Sequence, residues 1–178
     1  RERVEAASPY PDPEISAALT RVEARARAPR FPRPAEAAAQ ALFAPAALLT
    51  NQAPVDYSAL FLRLIQRLDP GFQRNTFALA EMLDGLELDE AAAAVYRSMN
   101  DGPFAARAGV QAAWLAFQTG DEAGAVDQAR ALIAAEGAES ARLLLADILR
   151  SSGRCAEAVQ VYEQVIAARR ASGVEADW

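Results

Sequence analysis

The feature that most constrains this chain is its similarity to itself at a shift of 33 residues. The shift superposes Leu79-Ala80 on Ala112-Ala113 and Leu145-Ala146, Glu87 on Gly120 and Gly153, and Ala92 on Ala125 and Ala158. It also superposes Tyr96 on Ala129 and Tyr162, and Met99 on Leu132 and Val165. A period of roughly 20 to 50 residues means that one supersecondary unit is repeated and that each unit needs its neighbours to bury its apolar face. Within a unit, large apolar residues recur at helical spacing around small ones on both sides of a Gly or its counterpart, which predicts a helix, a tight turn and a second helix. A step of 34 residues toward the N-terminus reaches a further unit with Leu42, Ala46, Leu49, Ala53, Leu62 and Ile65, closed by Asp69-Pro70.

Composition agrees with the period. The chain has 178 residues, 52% of them hydrophobic and only 7% aromatic, so Ala dominates; that balance suits closely packed helices better than sheet. The expected organisation is a Pro/Arg-rich arm with one amphipathic helix over 1–38, then four repeats at 39–72, 73–105, 106–138 and 139–170, with 171–178 beginning another repeat. In the arm, residues 14–28 place Ile15, Leu19 and Val22 on one helical stripe between Pro-rich flanks. Gly120 and Gly153 are placed to adopt positive φ at helix ends, and Asp121 to cap the helix that follows. Pro45 lies inside a helix of the first repeat, where it clashes with the carbonyl of Ala41 and predicts a kink or break.

These residues resemble tetratricopeptide (TPR) repeats, whose pattern is W-x2-L-G-x2-Y, then A-x3-F, then P. The fourth unit matches with Leu145-Ala146-x2-Leu149 and Ala158-x3-Tyr162, and the second with Leu79-Ala80-x2-Leu83 and Ala92-x3-Tyr96. The pattern's Trp is replaced by Leu42, Thr76, Gly109 and Arg142, and the third unit has Ala116 and Ala129 for its bulky pair. The resemblance implies an all-α, right-handed superhelical solenoid of antiparallel helix pairs, in which Ala146 and Ala158 let helix axes approach while Leu149, Tyr162 and Val165 fill the gaps. It further implies a concave groove lined by the first helix of each repeat. Its candidate lining residues are Arg74, Phe77, Glu81 and Asp84; Arg107, Val110, Trp114 and Phe117; and Leu143, Asp147 and Arg150. Aromatic anchors among charges suit a protein or peptide ligand. Trp114 and Phe117 have a second reading, as core residues compensating for the alanines of the third unit.

Charge and missing residue types narrow the function further. Net charge is −6, which disfavours nucleic acid. Residues 21–34 carry a local +4 and include Phe31, against a net −7 over 39–178, so the arm is expected to be a solvated linker or folded onto the acidic solenoid, with a nucleic-acid or anionic-surface contact as the alternative. No run approaches about 18 apolar residues, so membrane insertion is not expected. The chain contains no His and one Cys, Cys155, which excludes histidine triads, zincin motifs and Cys/His metal sites. With neither a P-loop nor G-x-G-x-x-G, no cofactor is expected. TPRs that bind chaperone tails use a Lys/Asn clamp; Ala47, Glu81, Trp114 and Asp147 stand at the Asn level here, and the chain has no Lys. The expectation is a non-catalytic scaffold or adaptor. The alternatives are the targeting arm of an enzyme whose catalytic domain lies elsewhere, and self-association through the terminal repeat. Starting at Arg1 and ending in "EADW", the sequence reads as a fragment. All 18 basic residues are Arg, which points to a bacterial source, and resemblance to exported TPR proteins points to the periplasm.

Overall fold

The computed structural model of the chain describes residues 12–24, 26, 30–49, 55–136 and 139–171. Among these, every regular element is a helix: α1 (Pro13–Glu23), α2 (Pro34–Leu49), α3 (Val55–Leu68), α4 (Gln73–Gly85), α5 (Asp89–Ser98), α6 (Ala105–Gln118), α7 (Glu122–Glu136), α8 (Glu139–Ser151) and α9 (Cys155–Ala171). The helices fall into two compact units. One holds the described residues through Leu86 together with Asp101–Ala105; the other holds Glu87–Asn100 and the described residues from Ala106 onward. The segment expected to begin a further repeat lies, except for Ala171, outside the described residues.

In the first unit, α2 packs on α3 and α3 on α4. Ala39 and Ala46 are fully buried against Ile65, and their small side chains let the α2 and α3 backbones approach. Leu42, Phe43, Phe61, Leu68 and Phe72 close over this core, with Phe43 and Phe72 edge to face at 5.3 Å. Asn75 is wholly buried at the start of α4, and its Nδ2 donates to the Leu62 carbonyl at 3.0 Å and to Gln66 Oε1 at 3.2 Å, a polar pin between α3 and α4. Pro13 and Pro34 open α1 and α2, where a missing N–H costs nothing. Glu36 accepts from the backbone N–H of Arg33 and from the guanidinium groups of Arg30 and Arg33, closing the N-terminus of α2.

Two expectations for this unit need correction. Of the kink or break expected at Pro45, the break does not occur, because α2 runs from Pro34 to Leu49 with Pro45 inside it. Ala41 and Pro45 both lie on the exposed side, where water can serve the carbonyl that Pro45 deprives of a partner. The arm helix is shorter than expected and ends at Glu23, closed by Ala24 N–H on the Thr20 carbonyl and Ala26 N–H on the Arg21 carbonyl.

In the second unit, α7 packs on α8 and α8 on α9. Its core joins Ala113, Ala125, Val126, Ala129, Leu144, Leu145, Ile148, Leu149 and Ala158. Alanines from α6, α7 and α9 sit at the close approaches, and the branched residues of α8 fill the space between them. Each fully buried Ile or Leu contributes about 1.5–3 kcal/mol. Gly109 is a further close approach, since a Cβ there would lie 2.7 Å from Leu132 Cδ2.

The turns have the chemistry that the period implied. Gly120 (φ 93°) and Gly153 (φ 75°) end α6 and α8 in matching Schellman motifs. Gly120 N–H donates to the Phe117 carbonyl and Asp121 N–H to Ala116; Gly153 N–H donates to Arg150 and Arg154 N–H to Leu149. At the corresponding position Glu87 takes φ 57° without being a glycine. Asp121 caps α7 through Oδ1, accepting from Gly124 N–H at 2.9 Å, and a Cβ at Gly124 would collide with that carboxylate.

Candidate functional site

In the second unit, Arg107, Val110, Trp114 and Phe117 follow one stripe of α6, while Leu143, Asp147 and Arg150 follow one stripe of α8. Arg107 and Arg150 are exposed and the other five residues are half-buried. Trp114 and Phe117 lie 5.5 Å apart, ring to ring, and both pack on the core cluster. Their inner faces thus compensate for Ala113 and Ala129, and the remaining surface stays open to solvent.

A short polar chain links α8 and α9. Tyr162 on α9 donates its hydroxyl to Asp147 Oδ1 at 2.6 Å, and Arg150 Nη2 stands 3.7 Å from the same oxygen. The Asp147 carboxylate, and then burial, push the Tyr162 hydroxyl above its ordinary pKa. Asp147 is therefore oriented by a neighbouring helix and is more than one half of a surface ion pair. At the far end of the same hairpin, Arg169 donates to Glu139 at 2.5 and 3.0 Å, fixing α9 along α8 and holding the Glu139 carboxyl below its usual range.

In the first unit the expected residues divide. Phe77 is only 3% exposed and packs on Phe104 at 5.4 Å, so its ring belongs to the core and offers a ligand no face. Glu81 is exposed and Asp84 half-buried on α4. Arg74 is half-buried, with its guanidinium 5.9 Å over the Phe104 ring. It donates to Asp12 Oδ2 at 2.5 Å and to Glu14 Oε2 at 2.9 and 3.1 Å, at the start of α1. These contacts tie the start of α1 to α4 through Asp12 and Glu14; they do not involve the basic segment 21–34, part of which lies outside the described residues. The Arg74 hydrogen bond holds the Asp12 carboxyl below its ordinary pKa. Gln73 reads the following turn: its Nε2 donates to the Asp101 carbonyl at 2.9 Å and its Oε1 accepts from Phe104 N–H at 3.4 Å. A groove of about 1140 Å³ opens beside Arg74, with Arg21, Gln40, Phe43 and Phe72 among its walls.

Sequence reasoning missed Tyr162 as the partner of Asp147, and Asp12 and Glu14 as the partners of Arg74. The signal for the second was an Asp-Pro-x start in the arm, the signature of a capped helix. Among the described residues no group of three or more His, Cys, Asp or Glu could hold a metal ion, and no helix is long and apolar enough to cross a membrane.

No protein-family model matches the chain, and no curated protein matches it. Solved structures do. The MamA RS-1 ArsTM double mutant superposes with a TM-score of 0.61 at 12% identity, over 77% of this chain and 78% of that one. MamA 41-end from Desulfovibrio magneticus RS-1 gives 0.59 at 12% identity, over 75% and 76%. A crystal structure of MamA protein gives 0.56 at 16% identity, over 74% and 73%. At such identities the likeness concerns the fold, and the fold of this chain is an all-α, TPR-like solenoid of helix pairs.

Proposed function

We propose that the chain is a non-catalytic scaffold that binds a protein or peptide partner along the first helices of its repeats, which we divide at 39–72, 73–105, 106–138 and 139–170. The observation that carries this reading is the Trp114–Phe117 pair, seated on the core by one side and open on the other, with Arg107, Asp147 and Arg150 on the same unit. Aromatic anchors supply most of the free energy of such contacts, and flanking charges set register. Of the candidates on α4, Arg74 and Glu81 stay as a separate set within the first unit, and Phe77, buried against Phe104, leaves it. The test is affinity capture from the source cell's extract by the whole chain and by a Trp114→Ala, Phe117→Ala chain whose helical circular dichroism is unchanged. A partner held by the first and lost by the second supports the reading. Equal recovery overturns it.

A further inference from the structure

One side of α3 is buried and the other is bare. Ser58, Leu62 and Ile65 are at most 2% exposed, whereas Tyr57, Leu60 and Leu64 are 57%, 65% and 44% exposed. The three exposed residues stand at i, i+3 and i+7, so they form one stripe over two turns, at the spacing by which one helix seats another. Large apolar side chains gathered in a stripe with a polar rim mark a contact surface, unlike the same residues scattered singly. The rim here is cationic. Arg63 and Arg67 follow Leu60 and Leu64 by three residues each, both are exposed, and among the described residues neither has a hydrogen bond or an ion pair. Like charges four residues apart on a helix destabilise it, so a neighbour bearing carboxylates relieves a repulsion that the isolated chain retains.

We propose that this face of α3 is a docking surface for an acidic amphipathic helix of a partner protein, whose apolar stripe lies on Tyr57, Leu60 and Leu64 and whose carboxylates meet Arg63 and Arg67. The surface belongs to the first unit and is independent of the one on α6 and α8. A helix is the occupant because the apolar contacts recur at helical spacing, and an acidic one because the charges that rim the stripe are cations. An anionic lipid surface offers the same charge, but the chain's net charge of −6 repels an extended negative plane, whereas a single helix engages the two arginines locally.

The probe is a fluorescein-labelled synthetic helix with leucines along one stripe and glutamates along its edges, followed by anisotropy with the whole chain; a counterpart with glutamine for every glutamate is the control. The wild-type chain is expected to prefer the glutamate helix, against its own net negative charge, with an affinity that falls as salt rises. An Arg63→Glu, Arg67→Glu chain is expected to bind the glutamate helix about tenfold more weakly with unchanged helical circular dichroism, both side chains being exposed. A Leu60→Ser, Leu64→Ser chain is expected to lose both helices. A Trp114→Ala, Phe117→Ala chain is expected to bind like the wild type, so failure here and failure of the surface on α6 and α8 remain distinguishable. Absence of binding to the wild type, equal binding to the charge-reversed chain, or a wild-type chain that sediments with phosphatidylglycerol vesicles and ignores the glutamate helix overturns the proposal.

Discussion

Replacing Glu87 by Gly is expected to stabilise the protein. Glu87 stands at φ 57°, in the left-handed region that Gly120 and Gly153 occupy at the matching turns. Left-handed backbone costs a residue with a Cβ about 1–2 kcal/mol. Glycine escapes that cost but gives up roughly 0.5–1 kcal/mol of extra unfolded-state entropy. The Glu87 side chain is exposed, so little packing is lost with it. The net gain is about 0.5–1 kcal/mol, which at this chain length corresponds to a rise in melting temperature of about 1–4 °C. The reverse substitutions provide the control. A Cβ built on Gly120 or Gly153 meets nothing within 4 Å, so Gly120→Ala and Gly153→Ala isolate the backbone term and each should cost about 0.5–1 kcal/mol. Thermal and urea unfolding followed by circular dichroism read all three variants. If Glu87→Gly destabilises, or if the two Gly→Ala changes are neutral, the common left-handed requirement at these turns is refuted.

Ala158→Leu should cost roughly 1–3 kcal/mol by urea unfolding, because Ala158 is 2% exposed in the α7–α8–α9 core and its replacement overpacks a helix approach. Asp121→Ala should cost about 1 kcal/mol, since it leaves the Gly124 N–H uncapped, and Asp121→Asn should recover most of that loss. Hydrogen bonds from Arg30 and then from the Arg33 backbone and side chain lower the Glu36 pKa to about 2 from an ordinary value of 4.5. A carboxyl depressed in the folded state stabilises only while ionised, so its contribution is full above about pH 4.5 and is lost as pH falls toward 2. Urea midpoints measured between those limits should fall less steeply in Glu36→Gln than in the wild type.

The fold class was legible because small residues and glycines mark helix crossings and helix ends in a way that survives loss of the repeat's large residues. Ala92, Ala125 and Ala158 recur at the period and are all buried. Glu87 breaks the glycine rule in sequence while keeping its backbone conformation, so the period was a better guide there than residue type. Side-chain partners were much less legible. Arg74 meets Asp12 and Glu14 about sixty positions away, and Tyr162 meets Asp147 across a helical hairpin; neither spacing leaves a local pattern. Phe77 was misassigned because helical register gives the direction of a residue but not what covers it, and Phe104, from a turn beyond the next helix, covers it. Trp114 resisted a single assignment for a physical reason: a large ring on a helix of small residues reaches both core and solvent.

The central claim is that partners bind along α6 and α8. It is tested most directly by placing a photo-crosslinking benzoylphenylalanine at Arg107 or Arg150, on the proposed surface, and at Val159, which is 53% exposed on α9. On irradiation of cells making the whole chain, positions 107 and 150 should yield adducts with another polypeptide and position 159 should not. Adducts from position 159 alone, or equally from all three positions, would contradict the account.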